Sequence, residues 1–423
     1  MSTITIKPIK KFNKTIIAPP DKSITQRAIL FASLAPAGTK IVITNALLGL
    51  DCLSCIECVM ALGAKADVDK SKKMITITSA PIKSAILNVG NSGTAMRLLM
   101  GMLSAQDGKT FTLDGDESIR NRPMGRVSEL LEQMGAKISL TNGKALVAIE
   151  GAKLIGTNIK SPIASAQIKS AILLAGIQAK GVTSYTEPYK SRDHTERLLK
   201  YYGVPVKEEN NTTTVSKSII KSKNTHIVGD ISSVAFPLVL AVALKDAKIR
   251  INSVGLNPTR CGTLEVFKAI GANFNIINEV KDYESFGDIE VEYIENLSPF
   301  TIDGDIIPRL IDEIPILAVL ACFIKGTSVI RGAEELKVKE SNRLDAVVDM
   351  LSAMGGKVEK TFDGMIIYGS GELKGGCMVD SKGDHRIAMA TAIAGALSKE
   401  GVTIKNHECV SVSYPEFFNL FEE

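Results

Sequence analysis

Residues 92–113 read "SGTAMRLLMGMLSAQDGKTFTL". The small polar start, Ser92 to Thr94, suits a helix N-cap, and the apolar run behind it suits a helix enclosed nearly all round. Gly108 then marks a turn, and the residues after it alternate as a short strand does. Five further stretches share this form: "SITQRAILFASLAPAGTKIVI" (23–43), "SAQIKSAILLAGIQAKGVTSYT" (165–186), "SSVAFPLVLAVALKDAKIRI" (232–251), "DEIPILAVLACFIKGTSVI" (312–330) and "DHRIAMATAIAGALSKEGVTI" (384–404). Their turn residues, Gly38, Gly108, Gly181, Asp246, Gly326 and Gly401, follow one another at 65 to 80 positions. The chain is a sixfold repeat.

A second helix recurs between these stretches, recognisable by its end in "ECVMALGAK", "LLEQMGAKI", "LLKYYGVPV", "VFKAIGANF" and "MLSAMGGKV". Gly63, Gly135, Gly203, Gly271 and Gly355 stand just past it, where a left-handed C-cap favours glycine. The sixth copy begins in "PEFFNLFEE" and runs off the C-terminus, while the N-terminus offers two strand-like pieces, "STITIKPI" and "KTIIAP", with no helix before them. Those two pieces are expected to complete the sixth unit. Each unit, with two helices and about four short strands, is too small to hold a core alone. Three per lobe gives an N-terminal lobe of residues 21–227 and a C-terminal lobe of residues 1–20 plus 228–423, with crossovers near Pro20 and Thr225 to Asp230.

Composition narrows the function classes. The 423 residues are 45% hydrophobic and 23% charged, as in a soluble globular protein. The N-terminus lacks an apolar signal region, and the longest apolar runs, such as "IPILAVLACFI" from Ile314, fall short of the ~18 residues a bilayer span needs. A cytoplasmic protein is expected. A net charge of +4, 5% aromatics and no Trp do not resemble a nucleic-acid binder. Seven cysteines without an export signal argue for reduced thiols. Cys52, Cys55 and Cys58 form a C-x-x-C-x-x-C run, but it lies inside the helical pattern "DCLSCIECVMALGA" and reads as buried helix cysteines rather than an iron–sulfur site.

The polar helix starts carry the chemistry. Lys22, Ser23 and Arg27 open the first long helix, Asn91, Gly93, Thr94 and Arg97 the next, and Ser165, Gln167 and Lys169 the third. Asp312 with Glu313, and Asp384 with His385 and Arg386, open two more. The second helices begin with "SIRNRPMGR" (Arg120, Arg122, Arg126), "SRDHTER" (Arg192, Arg197) and "KVKESNR" (Lys337, Lys339, Glu340, Arg343). Cations at the positive end of a helix dipole oppose the usual preference by ~0.3–1 kcal/mol each when exposed. A bound anion explains them together, because dipole, N–H groups and guanidinium forks then act on one charge. Asp312, Glu340 and Asp384 beside these cations are ion-pair partners or acid–base groups. No Ser/His/Asp order, zinc-ligand spacing or G-x-x-x-x-G-K loop competes. "GSGELKGG" from Gly369 is read as a hairpin.

The blocks "PPDKSITQRA", "GNSGTAMRLL", "NRPMGR", "SAQIKSAILLAG", "SRDHTER", "IDEIP", "LKVKESNRL" and "GDHRIAM" span essentially the whole chain. In them the sequence resembles the 5-enolpyruvylshikimate-3-phosphate (EPSP) synthase family, the 3-phosphoshikimate 1-carboxyvinyltransferases. The resemblance implies an α/β (α+β) fold of two lobes, each of three βαβαββ units with buried parallel helices, an inside-out α/β barrel. It implies enolpyruvyl transfer from phosphoenolpyruvate to the 5-hydroxyl of shikimate 3-phosphate by a monomer, with no metal or organic cofactor and no nucleic-acid or membrane partner.

By matching positions, the resemblance gives Lys22, Ser23, Arg27, Ser165, Gln167, Arg192, Asp312 and Lys339 to shikimate 3-phosphate. Lys22, Gly93, Arg122, Gln167, Arg343 and Arg386 go to phosphoenolpyruvate. Asp312 is then the proton acceptor, and Glu340, with Lys22, protonates the methylene carbon. Three positions depart from the common pattern: Leu98 where many members have proline, Ala166 where a second serine often stands, and Val412 where some carry lysine. UDP-N-acetylglucosamine enolpyruvyl transferase is the rival of the same fold. Its reactive cysteine before "RP" has no counterpart in "GDESIRNRP", and Lys22–Ser23 replaces its lysine–asparagine pair. A non-catalytic repeat scaffold is the alternative of another class, with little use for clustered charge at helix starts.

Overall fold

The computed structural model describes residues 2–422. The chain divides into two compact units: one runs from Pro20 to Ile227, the other joins the segment up to Pro19 with everything from Val228 onward. Among the described residues no helix is long and apolar enough to cross a membrane.

Among the described residues six small sheets repeat one plan, clearest in the second. Strand Ala85–Asn88 runs parallel to Thr110–Asp114, and helix Gly93–Ser104 is the crossover between them. Strands Lys137–Thr141 and Lys144–Glu150 then form a hairpin, whose second strand pairs antiparallel with Thr110–Asp114. This is a β-α-β unit with a β-hairpin added to its sheet.

The third and fifth sheets keep the same order, with Ala166–Gly176 and Ile314–Phe323 as crossover helices. The first sheet takes its parallel edge strand, Thr225–His226, from the far end of the same unit. Everything from Pro20 to Ile227 is thereby closed on itself.

The two N-terminal strands part company. Thr3–Ile6 pairs antiparallel with Val402–Lys405 of the sixth sheet, but Asn13–Ile17 lies parallel to Lys248–Gly255 in the fourth. The expectation that both strands complete the sixth unit is corrected here. The fourth crossover helix starts at Ile231, immediately after the chain enters this unit, so its parallel edge strand has to come from elsewhere. Among the described residues the sixth sheet has three strands, and after Lys405 come short 3-10 turns rather than a helix and a hairpin.

"GSGELKGG" is likewise not a hairpin. Strands Met365–Gly369 and Cys377–Asp380 belong to different sheets, and residues 370–376 link the fifth repeat to the sixth.

The crossover helices are the cores. Ile231 to Val242 and His385 to Ala396 are buried without interruption. At Gly101, a Cβ would meet the carbonyl oxygen of Ala171 at 2.0 Å, so helices Gly93–Ser104 and Ala166–Gly176 touch backbone to backbone. The turn residues Gly38, Gly108, Gly181, Asp246, Gly326 and Gly401 all adopt positive φ, as do the five glycines after the second helices. Cys52, Cys55 and Cys58 are buried on helix Leu50–Ala61, their thiols directed to the carbonyls of Lys22, Gln26 and Asn88. Burial holds all three thiols well above their ordinary pKa.

Candidate active site

Each unit gathers the first turns of its three crossover helices. In Pro20–Ile227 these helices are capped by Asp21, Ser92 and Ser165, whose side chains accept from the N–H groups of Ile24, Ala95 and Ile168. Gln26 Nε2 donates to Ser92 Oγ at 2.6 Å, and Arg27 NH2 to Ser170 Oγ at 2.9 Å. Gln167 Oε1 accepts from Arg97 NH1 at 2.5 Å, while its Nε2 donates to Thr94 Oγ1 at 3.0 Å. The three positive dipole ends are therefore tied together by side chains.

Cations crowd the same place. Lys22 Nζ stands 3.1 Å from Asp51 Oδ2. Arg122 is buried and donates to Asn91 Oδ1 at 3.1 Å. A Cβ on Gly93 would lie 2.7 Å from Arg122 NH1 and 2.9 Å from Arg97 NH1, so any side chain there would displace the tips of both guanidinium groups from this helix mouth. Arg27 Nε donates to Thr195 Oγ1 at 2.8 Å, and its NH1 to the carbonyl of Ser23 at 3.0 Å. Arg192 is half-buried in the segment between strand Val182–Thr186 and helix His194–Tyr201.

The second helices differ from a single continuous start. "SIRNRPMGR" breaks at Pro123 into a short helix, Glu117–Asn121, and a longer one, Gly125–Glu132. Proline disfavours helix at the residue before it, so Arg122 falls in the extended link.

In the other unit the corresponding helices begin at Ile231, Ile314 and His385. Asp312 stands two residues before helix Ile314–Phe323 and does not begin it; Glu313 occupies the cap position without a side-chain cap bond. Arg386 NH1 donates to Ser232 Oγ at 2.6 Å and to the carbonyl of Asp312 at 3.1 Å, and Ser232 Oγ bonds Glu313. Again three helix starts meet through side chains.

Arg343 is the hub of the charge network. Its Nε reaches Asp384 Oδ2 at 2.7 Å, its NH1 reaches Asp312 Oδ1 at 2.9 Å, and its NH2 bonds Glu340. Burial opposes its charge, but the carboxylates of Asp384, Glu340 and Asp312 outweigh that and hold its pKa above the ordinary arginine value. Lys339 Nζ lies 3.8 Å from Asp312 Oδ1. Asp230 is also buried; burial pushes its pKa up, yet Arg260 and Arg386 prevail and hold it below the usual carboxylate range.

Asp51 and Arg260, like Asp230, had no place among the charged residues singled out in the sequence. Asp51 was hidden within the cysteine-rich helix, where nothing local separates it from a surface carboxylate. Arg260 is buried, 3.3 Å from Asp230 and 3.7 Å from Asp312 Oδ2. The signal for it existed: "NPTRCG" opens the second helix of the fourth repeat, where other repeats carry cations.

A family model described as "EPSP synthase (3-phosphoshikimate 1-carboxyvinyltransferase)" matches residues 6–421. The chain belongs to the EPSP synthase family. It is 45% identical over 420 residues to a 3-phosphoshikimate 1-carboxyvinyltransferase of Bacillus pumilus, covering 97% of this chain and 96% of that one. The Bacillus subtilis relative of the same name is 44% identical over 419 residues, with the same coverage. Among solved structures, an EPSP synthase from Acinetobacter baumannii superimposes with a TM-score of 0.84 at 38% identity, covering 99% of this chain and 97% of that chain. The enolpyruvyl transferase NikO from Streptomyces tendae shares the fold, with a TM-score of 0.79 at 17% identity over 98% of this chain and 95% of its own.

Proposed function

We propose that this chain transfers the enolpyruvyl group of phosphoenolpyruvate to the 5-hydroxyl of shikimate 3-phosphate, releasing inorganic phosphate. The supporting observation is the triple grip on Arg343, which gathers Asp312 and Glu340, one acid–base pair, around a single guanidinium. In this reading Asp312 accepts the 5-hydroxyl proton as oxygen attacks C2 of phosphoenolpyruvate. Glu340, with Lys22, delivers a proton to the methylene carbon. The tetrahedral adduct then returns a methyl proton to the Glu340 carboxylate and expels phosphate, restoring the double bond.

Binding divides by charge. Lys22, Ser23, Arg27, Ser165, Gln167, Arg192, Asp312 and Lys339 are assigned to shikimate 3-phosphate. Arg343 and Arg386 grip the carboxylate of phosphoenolpyruvate, and Lys22, Arg122, Gln167 and the opening at Gly93 take its phosphate. The proposed chemistry draws on these side chains and helix ends. The same reading has the chain act in the cytoplasm as a monomer.

A coupled phosphate-release assay with shikimate 3-phosphate and phosphoenolpyruvate tests the activity. UDP-N-acetylglucosamine is run beside it as the competing acceptor. Phosphate release only with the sugar nucleotide overturns the proposal.

A further inference from the structure

Lys169 lies in the apolar run of helix Ala166–Gly176 with only 1% of its side chain exposed. Its ammonium stands 2.8 Å from Glu187 and 2.8 Å from Glu196, both also buried. Burial works against that charge, and the two carboxylates outweigh it, holding the lysine pKa above its ordinary value. Such a cluster is a poor device for stability, because well-packed apolar side chains of the same volume generally serve a core as well or better.

What the cluster does hold is one backbone position. Lys169 Nζ donates to the carbonyl of Ser191 at 3.2 Å, and the N–H of Ser191 donates to Glu187 Oε1 at 2.9 Å. Both polar backbone atoms of the residue before Arg192 are thus bonded to the buried ions. Three residues after Arg192, Thr195 Oγ1 is bonded to Arg27 Nε at 2.8 Å and to Ser170 Oγ at 2.6 Å. Arg192 sits between two anchors on the same helix turn, Lys169 and Ser170.

We infer that Lys169, with Glu187 and Glu196, is a positioning residue for Arg192, fixing the backbone from which that arginine addresses the phosphate of the acceptor substrate. The inference rests on the assignment of Arg192 to shikimate 3-phosphate made above. Lys169 itself touches neither substrate. Freeing Ser191 loosens one end of the segment, and misplacement of a binding group by about 1 Å is enough to be felt strongly in kinetics.

The test measures kcat and both KM values by phosphate release, with melting temperatures, for Glu187→Gln, Glu187→Leu, Lys169→Met and Arg192→Ala. Glu187→Leu deletes the acceptor for Ser191 and for Lys169, and KM for shikimate 3-phosphate is expected to rise roughly tenfold with kcat within about threefold of wild type. Glu187→Gln keeps an oxygen in that place and is expected to restore most of the lost affinity. Lys169→Met is expected to match Glu187→Leu; should it fail to fold, the Gln and Leu pair decides alone. In an Arg192→Ala background, Glu187→Leu should add almost nothing.

If Arg192→Ala raises KM for shikimate 3-phosphate but Glu187→Leu does not, the positioning role is wrong and the Arg192 assignment stands. An unchanged KM in Arg192→Ala removes the assignment, and the inference with it. Additive effects in the double variant, or equal effects of Gln and Leu, also overturn the positioning role.

Discussion

Arg343 Nε lies 2.7 Å from Asp384 Oδ2, and both residues are buried. The other oxygen of Asp384 accepts from the backbone N–H of Arg386 at 2.9 Å, so one carboxylate caps a helix and seats a guanidinium. Asp384→Asn keeps a cap but loses the counter-charge; Asp384→Ala loses both. Stranding a buried ion costs about 3–5 kcal/mol, although two carboxylates still hold Arg343, and a lost cap costs about 1 kcal/mol. Melting temperature is expected to fall from wild type to Asn and further to Ala. Equal melting of the two variants contradicts the capping role.

Asp312→Asn removes the proposed proton acceptor while keeping the side-chain shape. Turnover is expected to drop by ~10² to 10⁴. Because Asp312 is not the helix cap, no cap is lost, and the melting temperature should move less than in Asp384→Ala. Near-normal kcat in a phosphate-release assay sinks the assignment.

Gly101→Ala places a methyl group against the Ala171 carbonyl, which forces two core helices apart. Overpacking of this kind costs about 1–3 kcal/mol, against a gain of up to about 1 kcal/mol in helix propensity. A lower urea midpoint is expected. A raised midpoint would show that the helices part freely.

The thiol of Cys58 is pushed up from 9.0 to about 12, first by burial and then by the neighbouring Glu57. Above pH 9 the unfolded chain ionises this thiol while the folded one does not, so the folded state binds more protons and stability falls as pH rises. The loss amounts to about 1.4 kcal/mol per pH unit and spreads over pH 9 to 12. Cys58→Ala, less stable at neutral pH, should close the gap to wild type as pH climbs. Parallel melting curves for the two proteins between pH 8 and 10.5 speak against this account.

The central helices were legible in the sequence because their signals are local: Ser92, Ser165 and Asp384 as caps, apolar residues behind them, and glycine at five of the six left-handed turns, with Asp246 at the other. Strand partnership was less legible. Nothing within Asn13–Ile17 says that its neighbour is Lys248–Gly255, since a parallel edge is chosen by which sheet lacks one. The cations of the candidate site stood out by recurring at equivalent helix starts. Asp51 and Arg260 did not, because a charge inside a helical or turn pattern looks solvated until the fold buries it.

The pairing of Thr3–Ile6 with Val402–Lys405 sets an order of events during synthesis. Strand Thr3–Ile6 meets its partner only after some 400 further residues are made, roughly 20–80 s later at ordinary elongation rates. The segment Pro20–Ile227 is complete in sequence well before that and has its own edge strand, Thr225–His226, to finish its first sheet. A nascent chain therefore carries one closed unit and two waiting strands, of which Asn13–Ile17 finds its partner first. Throughout that interval the backbone edge of residues 3–6 has no strand of its own chain to pair with, and an unpaired edge is a template for pairing with other chains.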